Sequence, residues 1–336
     1  MTSAMVPRGD DRPLVLIYDP IRDVPWDYEV ERELLHAAGV DLVIPAQALA
    51  GEDLLARSDV VVVSGEFPIE AMNQLERCVG LLCYSVGMDN IDHSAAQERG
   101  IPVTNIAGYC TDEVSDHALA LLLASQRRLI PFAVEADSGN WDVYHRDEMT
   151  QIRRLRGQVA GIIGVGRIGT QVAHKVAAFG MQVLGYDPFL DPKQVDFLDL
   201  VGLDELLERS DVVVLCSALV ESSRNLINAQ RLGQMKPGAT LVNVARGGLV
   251  DELALAAALR SGHLGGAALD VRAHEPPDGT DDPLRGAPNL LQTQHLGALS
   301  RESRVDLHVF AAQRIVELLV SARRIVDPSA PQEAIS

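Results

Sequence analysis

Hydrophobic residues along this chain fall into short β-branched runs separated by amphipathic stretches. Leu14 to Tyr18, Asp41 to Ile44, Val60 to Val63, Gly80 to Tyr84 and Ile101 to Thr104 have the length and composition of buried strands. Between them, helices are predicted over Tyr28 to Ala38, closed by Gly39, around Glu52 to Arg57, and over Ile69 to Cys78. The second half repeats the alternation. Strands are predicted at Val159 to Ile163, Gln182 to Tyr186, Val212 to Leu215, Ala239 to Asn243, Ala267 to Leu269 and Leu290 to Thr293. Helices fall at Leu203 to Glu208, Ala229 to Gln234 and Glu252 to Arg260, the last with Asp251 as N-cap. Strand and helix alternating at short intervals is the signature of parallel sheets.

Two longer helices frame the second half. One starts at Thr111, read as an N-cap with Asp112 and Glu113 in the first turn, and runs to about Arg128 with Leu119, Leu122 and Leu123 on its apolar face. The other runs from about Arg301 to Ala322, with Val305, Val309, Ala312, Ile315, Val316 and Leu319 at helical spacing. It is expected to cross back onto the first domain. The fold class is therefore α/β, with two Rossmann-like, doubly wound parallel-sheet domains and a cleft between them.

The loop after Ile163 carries Gly164, Gly166 and Gly169 in the spacing G-x-G-x-x-G. The first glycine permits a tight turn, the second lets backbone approach a pyrophosphate, and the third lets helix pack on strand. Ile168, Val172, Ala173 and Val176 continue as an amphipathic helix whose N-terminal N–H groups can face an anion, and Gly180 ends it. Asp187 closes the next strand, 18 residues past Gly169, near the ~20 expected of a carboxylate on the ribose hydroxyls of NAD. NAD is favoured over NADP, because Asp187 would repel a 2′-phosphate and Pro188, Phe189, Leu190 and Asp191 offer no cation to hold one.

Composition narrows the class. At 336 residues, 47% of them apolar, the chain can build two cores. It has no apolar run long enough to span a membrane. Met1 to Arg12 lack the apolar stretch of a signal peptide and read as a mobile tail. A net charge of −18 disfavours nucleic-acid partners. Cys78, Cys83, Cys110 and Cys216 are scattered without C-x-x-C spacing, suggesting reduced thiols in a cytoplasmic protein and no metal site.

Three candidate chemical groups follow predicted strand ends, where open parallel sheets bind ligands. Arg246 follows the strand ending at Asn243, Glu275 the one ending at Leu269, and His295 the one ending at Thr293. The set suits reduction of a 2-oxo acid. Arginine would hold the carboxylate and polarise the carbonyl, histidine would deliver the proton, and glutamate would orient the histidine. A cationic His295 beside Glu275 predicts that reduction weakens as pH rises. Each residue alone also has an ordinary reading, as a surface turn or a solvated loop. His117 sits inside a helix and reads as packing, and His274 need not share Glu275's surroundings.

From about Tyr84 to Gly297 the chain resembles the D-2-hydroxyacid dehydrogenase family. The matching stretches are 85–92 (SVGMDNID), 116–123 (DHALALLL), the glycine loop, 241–252 (LVNVARGGLVDE), 266–271 (GAALDV) followed by Glu275 and Pro276, and 293–297 (TQHLG). Residues 31–40, 108–114 and 152–157 are most similar to the C-terminal-binding-protein-like branch. The resemblance implies a substrate (catalytic) domain of residues 1–108 and 303–336, with an NAD-binding domain of residues 109–302 inserted into it. It implies His295 as proton donor, Glu275 as its partner and Arg246 as substrate anchor. Ser85 and the backbone N–H groups of Val86 and Gly87 would meet the substrate.

In the same pattern Asp270 would hold the nicotinamide carboxamide, Arg167 and Ile168 the pyrophosphate, and Cys216 and Ser217 the adenosine side. Val86, Val244, Ala245, Arg246, His295 and Gly297 would complete the cofactor contacts. The substrate pocket would draw on Ser64 to Phe67, Tyr84 to Gly87 and Trp141 to His145. A homodimer through the inserted domain is implied too, partly by the helix starting at Thr111. Departures appear at Cys83, where the family often has arginine, at Gln294, usually proline, and at Ala298, a tryptophan in that branch. Val86 replaces the lysine of phosphite dehydrogenases and Glu275 the glutamine of formate dehydrogenases. The branch also contains NAD(H)-sensing corepressors, so a regulatory protein with little turnover is the alternative.

Overall fold

The computed structural model describes residues 12–19, 27–44, 54–141, 152–191, 195–277 and 279–325. The expected N-terminal tail, the start of the helix at Glu52 and most of the stretch from Trp141 to His145 lie outside the described residues. The chain divides into two compact units. One contains the described residues up to Cys110 and those from Ser300 onward; the other is Thr111–Leu299.

The first unit is a five-stranded parallel sheet of β1 (Leu14–Tyr18), β2 (Asp41–Val43), β3 (Val60–Val63), β4 (Gly80–Cys83) and β5 (Val103–Asn105), in the order β2-β1-β3-β4-β5. Strand residues alternate between two cores, as the period of two requires. Val15, Ile17, Val60, Val62 and Leu82 face α1 (Glu29–Ala37) and the long α11 (Arg301–Ser321). Leu16, Val61, Val63, Leu81 and Cys83 face α2 (Leu54–Arg57), α3 (Ile69–Met72) and α4 (His93–Glu98). Helix α11 returns to this unit as expected, burying Leu307, Ala311, Ala312, Ile315 and Leu319, while Val305 is exposed. A buried polar knot crosses this core: Glu31 on α1 accepts from the Tyr84 hydroxyl, and His308 Nδ1 of α11 lies 2.7 Å from the same carboxylate oxygen.

The second unit contains α5 (Thr111–Gln126), α6 (Leu129–Asp137), α7 (Arg167–Ala178), α8 (Leu203–Arg209), α9 (Ala229–Gln234) and α10 (Glu252–Arg260). Its seven parallel strands are β6 (Val159–Ile163), β7 (Gln182–Tyr186), β8 (Asp199–Leu200), β9 (Val212–Leu215), β10 (Thr240–Asn243), β11 (Gly266–Leu269) and β12 (Leu290–Gln292), ordered β12-β11-β10-β9-β6-β7-β8. Helices α8 to α10 close one face around Leu206, Leu232, Leu255 and Leu259. Helices α5 and α7 pack on each other and on the strands of the sheet.

Several expected elements are altered. The helix at Ile69 stops at Met72: the Asn73 N–H still bonds the Ile69 carbonyl, but those of Gln74 and Leu75 turn to carbonyls three residues back, and Arg77 is drawn to Asp59 (3.1 Å). Strand β5 begins at Val103, since Pro102 has no N–H for the ladder. In α5 the buried side is Val114, Ser115, Ala118, Leu121 and Leu122, leaving Leu119 and Leu123 only partly covered, and the helix begins with Thr111 itself. It ends at Gln126, after which Arg128 takes a left-handed backbone (φ 52°) and α6 follows.

Candidate active site

Strands β10, β11 and β12 lie side by side, and the loops leaving their carboxyl ends carry the three expected groups. After β10, the buried Asn243 braces the turn. Its side chain accepts from the Ala245 N–H (3.0 Å) and donates to the Arg246 carbonyl (2.9 Å). After β11 comes Glu275, and after β12 His295, whose left-handed backbone (φ 54°) directs its N–H to the Asp270 carbonyl (2.8 Å).

His295 Nδ1 lies 2.6 Å from Glu275 Oε2, with the two side chains 46% and 37% exposed, so the pair is formed yet reachable. The other Glu275 oxygen accepts from the Arg272 N–H (2.8 Å). Burial pushes the Glu275 carboxyl up, but the His295 bond, the Arg272 N–H and the charges of His295 and Arg246 outweigh it and hold Glu275 below its ordinary value. The carboxylate is therefore ionised at neutral pH and fixes a proton on Nδ1, leaving Nε2 for proton transfer.

The glycine loop has the shape a pyrophosphate requires. Gly164 has φ 89°, and a Cβ there would meet the Ser217 nitrogen at 2.6 Å. Gly166 caps α7 with no side-chain bond to the helix N–H groups, and a Cβ on it would point into open space. Asp187 accepts from the N–H groups of Val165 and Phe189 (3.0 Å each), which ties the acid to the loop. Ser217 Oγ is buried without a hydrogen-bond partner among the described residues. An unpaired hydroxyl beside an open helix N-terminus fits a nucleotide. Burial pushes the neighbouring Cys216 thiol up to about 12, so it acts as a neutral lining group.

Ser85, Val86 and Gly87 form the loop after β4 in the first unit. There Ser85 Oγ donates to the Gly87 carbonyl (2.7 Å) and Asn105 Nδ2 to the Val86 carbonyl (2.5 Å). The N–H groups of Val86 and Gly87 meet no acceptor among the described residues.

Residues 119–297 match the model of the D-isomer specific 2-hydroxyacid dehydrogenase NAD binding domain. The chain belongs to the D-isomer specific 2-hydroxyacid dehydrogenase family. A D-3-phosphoglycerate dehydrogenase of Archaeoglobus fulgidus is 34% identical over 90% of the chain, which spans 57% of that relative's length. A glyoxylate reductase of Korarchaeum cryptofilum is 38% identical over 72% of each chain. An NADPH-dependent glyoxylate/hydroxypyruvate reductase from Sinorhizobium meliloti, solved with NADP and malonate, is 28% identical with a TM-score of 0.79, covering 95% of this chain and 97% of its own.

In this 2-hydroxyacid dehydrogenase family member, two residues of the site escaped sequence reasoning. His117, expected to pack, is a polar partner: its Nε2 lies 3.0 Å from Thr293 Oγ1 and 3.3 Å from Asp270 Oδ1. Asp270 also accepts from Thr293 Oγ1 (2.6 Å), Gly297 N–H (2.9 Å) and Leu296 N–H (3.0 Å). Burial pushes Asp270 up, yet these donors and the His117 charge hold it below its ordinary value. Arg272 is the second, a charged residue only 8% exposed. A helix interior and an arginine beside a strand end carry no signal of these partners. Among the described residues, no group of three or more His, Cys, Asp or Glu is placed to hold a metal ion. No helix among them is long and apolar enough to cross a membrane.

Proposed function

We propose that this protein interconverts a 2-oxo acid and a D-2-hydroxy acid, using NAD(H) in preference to NADP(H). The observation that carries the reading is the 2.6 Å bond between His295 and an ionised Glu275, with Arg246 close enough to add its charge. A bound nicotinamide supplies or accepts the hydride at C2. In reduction, His295 gives the proton at Nε2 to the carbonyl oxygen, and Glu275 stabilises the cationic ring before transfer. Arg246 pairs with the carboxylate and polarises the carbonyl. Asp270 is suited to the carboxamide, and Gly164, Gly166, Arg167, Ile168, Gly169, Cys216, Ser217, Val244, Ala245 and Gly297 to the rest of the cofactor. Asp187 supports NAD through its charge.

A further part of the proposal is a homodimer. Helix α6 buries none of its residues and exposes Leu129, Ile130 and Val134, an apolar surface suited to a second copy. Light scattering that shows only monomer would remove it.

The test of activity is NADH oxidation against a panel of 2-oxo acids of graded size and charge. Turnover is expected with at least one. Arg246→Ala should lower kcat/KM about 100- to 1,000-fold with NADH affinity nearly unchanged. Equal, mild losses in both would remove its assigned role. Tight NADH binding with no turnover on any acid would instead point to a nucleotide-sensing regulator.

A further inference from the structure

Arg246, Glu275 and His295 sit on three separate loops, and loops are the least rigid parts of a sheet protein. Their relative placement needs a tie, and one buried residue reaches all three. The Arg272 N–H holds Glu275 Oε1 (2.8 Å). The Arg272 carbonyl carbon lies 1.9 Å from where a Cβ on Gly247 would stand, so the turn that follows Arg246 is seated directly on the Arg272 peptide. The Arg272 guanidinium donates to Gln292 Oε1 (2.6 Å), three residues before His295.

The same guanidinium is anchored from two further sides. It pairs with both oxygens of Glu252 at the start of α10 (3.0 Å each) and with Asp282 (2.6 and 3.3 Å). Glu252 also accepts from the Ala273 N–H (2.8 Å), so the backbone next to Arg272 is fixed as firmly as its head group. A planar, five-donor cation satisfied on every side is a rigid joint, which a lysine's single nitrogen cannot reproduce.

We propose that Arg272 is a positioning residue, setting the mutual placement of Arg246, Glu275 and His295 from beneath the three loops. The inference rests on the catalytic reading of those residues. It adds that their geometry is imposed by one buried cation with no contact to the substrate.

The experiment compares the full-length protein with Arg272→Lys and with Asp282→Asn, the second disturbing the joint from its outer side. Three quantities are read: kcat, the acid limb of the pH profile, and the low-field proton resonance of the His295–Glu275 bond. Misplacement by about 1 Å costs on the order of 100-fold in rate, so kcat should fall by roughly 10- to 100-fold in Arg272→Lys while NADH affinity holds. The acid limb should move to higher pH, because a displaced residue-272 backbone N–H bonds Glu275 less well and does less to keep it ionised. The His295 resonance should weaken or shift.

Should Arg272→Lys fail to fold, Asp282→Asn is expected to show the same changes in milder form. A lowered Tm with unchanged kcat, acid limb and resonance would make Arg272 purely structural and overturn the inference. The resonance is read without turnover. A His295→Gln variant that still reduces substrate would therefore count against the catalytic reading separately.

Discussion

A methyl group at Gly169 would stand 1.9 Å from the Gly164 carbonyl oxygen, across the turn that makes the nucleotide loop. No side-chain rotation moves a Cβ away from a backbone oxygen, so Gly169→Ala is expected to open the loop from β6 and abolish NADH binding, measurable as loss of NADH fluorescence enhancement. Asp187 governs the neighbouring choice. Asp187→Ser removes the charge opposed to a 2′-phosphate, and its kcat/KM ratio for NADPH over NADH should rise by tenfold or more, about 1.4 kcal/mol; an unchanged ratio would place selectivity elsewhere. At this scale the sequence is informative where backbone geometry demands a residue type, as at Gly164 or Gly169, and where a polar group follows an apolar strand, as at Arg246 and His295. It is silent on His117 and Arg272, whose partners Thr293, Asp270, Glu252 and Asp282 are distant in the chain and meet only on folding.

At the scale of elements, each unit carries the same device. Residues 54–62 (LLARSDVVV) and 206–214 (LLERSDVVV) differ at one position. In both, the serine hydroxyl donates to a carbonyl four residues back, and the aspartate Oδ2 accepts at 2.9 Å from the first N–H of a neighbouring strand, Leu14 in one unit and Val159 in the other. For Asp211, burial pushes the carboxyl up, but the Val159 N–H, Arg153 and Lys236 hold it below its ordinary value. A folded-state pKa below the unfolded one stabilises above the ordinary carboxylate range, and that stability is lost as pH falls through the folded value. Tm should therefore drop on acidification below about pH 4, and less steeply in Asp211→Asn than in the parent. Strands of this kind are legible because four consecutive buried apolar residues leave little choice. The short α3, the displaced β5 and the buried face of α5 were less so. There a local cue, Pro102 or the pull of Asp59 on Arg77, or packing against another helix outweighs the period of the pattern.

For the whole molecule, the first unit is made from two separated pieces of chain, and its core depends on the second. Leu307, Ala311, Ala312, Ile315 and Leu319 of α11 cover one face of the β1–β5 sheet. Leu307→Ala should lower unfolding stability by about 2–5 kcal/mol, seen as a lower denaturation midpoint in urea. A change under 0.5 kcal/mol would mean that α11 contributes little to that core.

The order of pieces has a consequence for the newborn chain. A ribosome releases β1 to β5 first, then all of Thr111–Leu299, and only then α11. At ~5–20 residues per second, the sheet's apolar face waits on the order of ten seconds or more for its cover. The inserted unit, contiguous in the chain, can finish folding during that interval. Synthesis from one end therefore lets the nucleotide-binding half mature before the first unit's core can close. The exposed half is the one a chaperone would have to shield.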